Sequence, residues 1–373
     1  MKILKVTANN YKNCCNNFTI DLLSKSKKTS EDKEYELQEL ADELYTFNTA
    51  AFIGKNASGK TTAIELLYDC YSILGDFRLY NKSYTYDNTN LEIIFYNDGY
   101  IYKYNTTLKY NPLVDNNVVF KEQHIYQKKY YKSKLKDIYS TDDFIEITNL
   151  TELPEDTSIV FFVLKKKSTQ AIYFDSNGYS SKTYLKLFKA INTYNISREL
   201  LNKIIKLFDE NIKSLEMVDE SHYKLTYNDR IIELSDVELL YMLSSGTTKG
   251  VLLYAYVVAS LQFGFDLIID EIENHFHKTL VDNIISLYKD KSINKKNATI
   301  FFTTHHCLLL DLFNRQDNIW ITKSEKEIFI YNMYEPYNNR SELLKSKQFY
   351  NNTFNTNVSY NYLIALKKEL KKI

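Results

Sequence analysis

A chain of 373 residues has room for one large or two modest domains, and 44% hydrophobic residues supply a sizeable core. Its 47 basic and 47 acidic residues cancel, which excludes a global field for nucleic acid or membrane and makes any such surface local. The four cysteines, Cys14, Cys15, Cys70 and Cys307, form no CxxC pair or metal-ligand spacing, which argues against a zinc module or a disulfide framework and points to a reducing, cytoplasmic setting.

Met1–Lys5 lacks the apolar core of a secretion signal, and no run of about 18 apolar residues occurs, so the expectation is a soluble chain with no membrane partner. The 33 tyrosines and abundant Lys and Asn read as coding bias rather than function. Glycine is informative. Only eight occur, and Gly54, Gly59, Gly246 and Gly250 fall in two short motifs, as if placed where backbone geometry demands them.

In chain order, residues 2–8 and 18–22 alternate apolar and polar and predict two opening strands. The charged stretch 24–43, with Leu37, Leu40 and Leu44 at helical spacing, predicts a surface excursion. An apolar run, Ala50–Ile53, then enters Gly54-Lys55-Asn56-Ala57-Ser58-Gly59-Lys60-Thr61-Thr62, which fits GxxxxGK[ST] without mismatch and is followed by the helical stretch Ala63–Leu67. Such a loop turns successive N–H groups and the positive end of a helix toward a polyphosphate. Lys60 would bridge the β- and γ-phosphates, and the Thr61 hydroxyl would sit on Mg²⁺.

Residues 91–96 and 100–104 flank Asn97-Asp98-Gly99, a hairpin signal. The interleaved lysines and tyrosines of 121–136 are what a single-strand groove needs, but in a chain this rich in both they read as a solvated face, as does Lys165-Lys166-Lys167. From 181 to 215 the apolar spacing is helical, with Leu187, Ile191, Leu201, Ile204, Ile205 and Phe208 on packed faces. A second hairpin is predicted at 222–227 and 230–234 around Asn228-Asp229.

Ser244-Ser245-Gly246-Thr247 opens a strongly apolar helix and reads by composition as a capped N-terminus. Leu267-Ile268-Ile269-Asp270-Glu271 is a buried strand ending in paired carboxylates, Asp270 suited to hold Mg²⁺ through water and Glu271 to polarise an attacking water. Thr299–His306 is another apolar strand; at its end His305 can hydrogen-bond a γ-phosphate or that water. His305 and His306 as a metal pair is the weaker alternative, since no acid or cysteine at ligand spacing completes a tetrahedron.

GKNASGKTT, LSSGT, LIIDEIEN and FFTTHH stand in the order found in ABC-type ATPase heads, and the phrase Ile272-Glu273-Asn274-His275-Phe276-His277 resembles the OLD-like and abortive-infection ATPases of bacteria. The resemblance covers roughly 1–120 and 240–335. It implies that Gly54–Thr62 bind ATP, that Thr61 and Asp270 hold Mg²⁺, that Glu271 is the catalytic base and His305 the switch histidine. Ser244, Ser245 and Gly246 would reach the γ-phosphate of ATP on a second subunit, with Asn274 and His275 in the D-loop. Lys12 falls where related heads carry a basic residue near the nucleotide. The Q-loop has only a weak candidate, Gln123.

The expected fold is an α/β ABC-ATPase (P-loop NTPase) head with a mixed sheet: an ATPase lobe in two parts, 1–120 and 241–335, an inserted, mainly helical lobe at 121–240, and a tail at 336–373. The expected function is a dimeric sensor or switch ATPase of a bacterial antiphage system controlling a separate effector, such as a nuclease or toxin. DNA is a further possible partner. The alternative is an SMC-like DNA-repair or chromosome-maintenance ATPase, with a transporter motor less favoured.

Overall fold

The computed structural model describes residues 1–79, 86–114, 117–148, 153–175, 182–219, 221–274, 276–335, 344–350 and 360–372. Two six-stranded sheets dominate it. The first is antiparallel, in the spatial order Phe18–Asp21, Lys2–Asn9, Thr89–Asn97, Tyr100–Tyr110, Val118–Lys129, Ile145–Glu146. Asp98 (φ 46°) and Gly99 (φ 84°) make the tight turn predicted from Asn97-Asp98-Gly99, because both residues adopt the left-handed backbone that a two-residue hairpin requires.

The second sheet runs Ala171–Asp175, Asp266–Asp270, Ile300–Thr304, Thr49–Ile53, Ile319–Ser324, Ile328–Asn332, parallel except for the last strand. Its central strands are apolar without alternation because both faces are covered. Ala51, Ile53, Leu267, Ile269 and Phe302 face one core, with the long helix Ser245–Phe263 and the helix Lys278–Lys289. Ala50, Phe52, Ile268, Phe301 and Trp320 face another, shared with the antiparallel sheet and the helix Lys60–Gly75. That helix is buried on nearly every side, by Ala63, Ile64, Leu66, Leu67, Cys70 and Ile73 among others, since it lies between the sheets. Asp266, at the start of a parallel strand, accepts from Lys2 of the antiparallel sheet and from Tyr71 of the intervening helix, and so ties the layers together.

Two stretches are laid out differently from their sequence pattern. Residues 24–43 hold a short helix, Ser30–Tyr35, capped by Thr29, and then Leu37–Ala41, which pairs with Leu44–Phe47 as a hairpin. The helical spacing of Leu37 and Leu44 is outcompeted by the turn at Glu43 (φ 61°) and by burial of Glu36 against Lys289 and Asn318. Residues 121–240 divide among three places. Residues up to Lys129 and Ile145–Glu146 continue the antiparallel sheet, and Ala171–Asp175 is an edge of the parallel sheet. The excursion proper comprises the helices Lys182–Thr193 and Arg198–Lys206, the three-stranded meander Ile212–Met217, His222–Tyr227, Arg230–Ser235, and the helix Asp236–Met242.

Candidate nucleotide site

Parallel pairing puts the C-terminal ends of Thr49–Ile53, Ile300–Thr304 and Asp266–Asp270 at one edge of the sheet, with the His305-bearing strand in the middle. Gly54–Thr62, Glu271 and His305 therefore meet although Glu271 stands 217 positions after Gly54 (271 − 54). A cleft of about 420 Å³ is lined there by Asn56–Thr62, Glu271, His305 and Ile328.

The loop is shaped by two left-handed residues, Ala57 (φ 60°) and Gly59 (φ 97°). A Cβ at Gly59 would also stand 2.3 Å from Ile328, and one at Gly54 would strike Ser58 Oγ and Thr322. Ser58 Oγ and Thr322 Oγ1, 2.7 Å apart, pin the loop to the neighbouring strand. Both glycines thus have an in-chain reason.

Lys60 is 5% exposed, and its ammonium donates to Gly54 O (3.1 Å), Lys55 O (3.2 Å) and His305 Nδ1 (3.1 Å). An ammonium only donates, so His305 Nδ1 accepts and the ring proton sits on Nε2, 2.9 Å from Glu271 Oε1. Burial lowers the Lys60 pKa, against the opposing pull of Glu271, Asp270 and Glu273.

Asp270 is 6% exposed; its Oδ2 accepts from Thr61 Oγ1 (2.9 Å) and its Oδ1 from Thr303 Oγ1 (2.6 Å). Thr303 Oγ1 also accepts from Glu271 N, so one hydroxyl fixes both carboxylate residues, Glu271 with φ 51°. Burial raises the Asp270 pKa; its two hydroxyl bonds oppose the rise, and the charges of Glu271 and Asp175 add to it. A divalent cation would relieve that burden. The pair of Thr61 hydroxyl and Asp270 carboxylate suits Mg²⁺, which takes few protein ligands and keeps the rest for phosphate and water.

Asn274 Nδ2 donates to Glu271 Oε2. His275 lies outside the described residues. Lys12 pairs with Glu65 on the phosphate-loop helix and is not among the residues lining the cleft. Gln123 is occupied elsewhere, accepting from Tyr104 Oη and Ile159 N and donating to Thr157 O. Ser244 caps the 19-residue helix by accepting from Thr247 N (3.0 Å), and Ser244, Ser245 and Gly246 lie outside the cleft lining. Lys128 of the Lys/Tyr-rich stretch donates to Ser140 O and covers Phe144, while Lys132 and Lys134 pair with Asp42 and Asp143.

Sequence reasoning missed Thr303, Glu273, Tyr173 and Ile328. Glu273 accepts from His305 N, and Tyr173 Oη lies 3.5 Å from Asp270 Oδ2 on the edge strand, where Asp175 stands level with Asp270. Only Thr303 carried a signal, as the polar end of an apolar strand.

A phosphate loop joined to a paired-acid strand and a histidine strand in one parallel sheet defines a P-loop ATPase. Residues 50–311, more than half of the chain, match the family described as "AAA domain, putative AbiEii toxin, Type IV TA system", and the chain belongs to that family. No curated protein matches it. Similar solved structures include an SmcHead bound to the C-winged helix domain of ScpA, 12% identical with a TM-score of 0.45, covering 89% of this chain and 98% of that one. Another is cbiO1 from Clostridium perfringens, part of the ABC transporter complex cbiONQ, 11% identical with a TM-score of 0.35, covering 90% of each chain. No helix among the described residues is long and apolar enough to cross a membrane.

Proposed function

We propose that this chain binds and hydrolyses Mg-ATP and that two copies close on the nucleotide, as the switch of an antiphage system acting on a separate effector chain. The observation that carries the reading is the relay Lys60–His305–Glu271 along one wall of the cleft. The family description, with its toxin and type IV toxin–antitoxin terms, supports the defence role.

The loop N–H groups and Lys60 receive the phosphates, and Lys60 exchanges its loop carbonyls for phosphate oxygens. Thr61 and Asp270 would hold Mg²⁺, which would supply screening of phosphate charge. Glu271, with one oxygen on His305 and the other on Asn274, orients a water and takes its proton. His305, neutral with its proton on Nε2, holds that carboxylate. Its Nδ1 accepts from Lys60, which two loop carbonyls hold independently.

Closure draws its support from Gly246. Among the described residues the nearest atom to a Cβ built there is Ser244 Oγ at 3.8 Å, so none of them demands glycine. A γ-phosphate reaching the helix N-terminus of a second copy would demand it. Association then depends on nucleotide, and hydrolysis resets it.

The test is Glu271→Gln with Mg-ATP on size-exclusion chromatography. Hydrolysis should fall about 10²- to 10⁴-fold, ATP should be retained, and the dimer should accumulate. A monomer with ATP bound would remove the two-copy mechanism.

A further inference from the structure

His305 leaves the sheet at the end of Ile300–Thr304, so the strand no longer fixes the backbone on its far side. That backbone runs into the 3₁₀ turn Cys307–Leu312, whose bonds Leu309 N to His306 O (3.0 Å) and Phe313 N to Leu310 O (3.2 Å) connect the histidine pair to Phe313. The far end of the turn is gripped by a helix from the C-terminal part of the chain, Lys345–Tyr350. Lys345 Nζ donates to Phe313 O (2.6 Å), Ser346 N donates to Asp311 Oδ1 (3.0 Å), and Ser346 Oγ donates to Asp311 Oδ2. Lys289, at the end of the helix that follows the Asn274 segment, donates to Leu312 O and to Glu36.

The helix side of this clasp is polar yet buried, Lys345 5% exposed and Ser346 3%, and Asp311 is half-buried. Burying an ammonium is costly, and an apolar side chain could fill the same space more cheaply. What a directed clasp adds is geometry, since hydrogen bonds weaken steeply with angle whereas apolar contact tolerates sliding. Phe313 is meanwhile stacked on Phe302 of the histidine strand, centroids 6.1 Å apart, so turn and strand move together.

We infer that the helix Lys345–Tyr350 is a strap that positions the His305 segment and thereby sets the rate of hydrolysis rather than the affinity for nucleotide. This rests on the reading that His305 and Glu271 act on the γ-phosphate. Lys345, Ser346 and Asp311 are positioning residues, acting through the turn. A partner that lifted this helix away would slow the ATPase while leaving ATP in place.

The test compares Lys345→Met, Ser346→Ala and Asp311→Asn with the parent by steady-state ATPase kinetics and by the Tm rise with Mg-ATP. The exposed Lys347 of the same helix, changed to Ala, serves as control. Small displacements of a positioned group cost up to about a hundredfold in rate, so kcat should fall about tenfold in the three clasp variants, with KM and the Mg-ATP Tm shift held within about twofold. Lys347→Ala should match the parent, and Ser346→Thr, which keeps the hydroxyl, should restore most of the rate. The strap is refuted if kcat is unchanged in Ser346→Ala, if KM and the Tm shift move with kcat, or if Lys347→Ala is equally impaired. Should Lys345→Met not fold, Ser346→Ala, which loses one oxygen, decides. A parent protein that neither gains Tm with Mg-ATP nor hydrolyses it would overturn the nucleotide-site reading instead, and the strap with it.

Discussion

The phosphate loop and the Ser244–Gly246 turn are both glycine-bearing entries to long helices, yet they differ in how much of their geometry the chain itself explains. Around the loop both glycines and Lys60 have an internal cause. Gly59 faces Ile328, Gly54 faces Ser58 and Thr322, and Lys60 is held by two carbonyls and a histidine. At the other helix, Gly250 is required by Phe208, whose ring a Cβ would meet at 2.1 Å. Gly246 is not: it is partly open, flanked by exposed Ser244 and Ser245, and sterically free. On the two-copy reading proposed above, the loop is the half finished within one copy, and Gly246, at a capped 19-residue helix, belongs to the half that a second copy would complete.

The largest effect that tests this contrast is at Lys60. Lys60→Ala removes a set of charge-assisted bonds worth about 3 kcal/mol, so Mg-ATP affinity should drop on the order of a hundredfold. The Tm rise on adding Mg-ATP should almost vanish. A normal Tm rise would show that the cleft is not where nucleotide binds.

Next comes a matched pair of glycine substitutions. Gly59→Ala meets both a left-handed φ and Ile328, and should cost about 1–3 kcal/mol in denaturant unfolding without any ligand. Gly246→Asp should cost nothing there, because an acid in the first turn of a helix is favourable by about 0.3–1 kcal/mol. It should nonetheless abolish the ATP-dependent dimer of the Glu271→Gln background, since its charge would oppose a γ-phosphate. If Gly246→Asp unfolds the protein, or leaves the dimer intact, the two glycines are not of different kinds.

The same contrast explains what is legible in the sequence. Local rules suffice for the phosphate loop, for the Asn97-Asp98-Gly99 and Asn228-Asp229 hairpins, and for apolar strands ending at Asp270 and His305, because backbone geometry and two-faced burial leave marks on adjacent residues. Residues that act across the sheet leave little mark, at most a polar end to an apolar strand. Thr303 joins Asp270 to Glu271 only because two distant strands lie side by side, and Tyr173 nears Asp270 only through an edge strand 95 residues earlier (266 − 171). Gln123 illustrates the converse error: a plausible residue type at a strand position, consumed by Tyr104, Ile159 and Thr157. Leu37 and Leu44 fit a helix locally, and tertiary burial of Glu36 decides for a hairpin.

The smallest expected effect is on stability, at Asp270. Its folded pKa is raised, chiefly by burial, so it binds a proton more readily when folded than when unfolded. Its favourable contribution is therefore complete below the unfolded carboxylate range and is lost as pH rises through the folded pKa. At neutral pH the nucleotide-free protein carries an unfavourable buried carboxylate beside Glu271. Asp270→Asn keeps an oxygen for Thr303 and removes that charge. Unfolding at neutral pH should become harder by about 1 kcal/mol, an ordinary single-substitution magnitude, and the gain should shrink toward acid pH as the parent's Asp270 takes up its proton. Stabilisation by Mg-ATP over ATP alone should disappear in the same variant. A parent and variant of equal stability across the pH range would mean that Asp270 carries no such burden, and the case for its role as the metal's carboxylate would lose its physical basis.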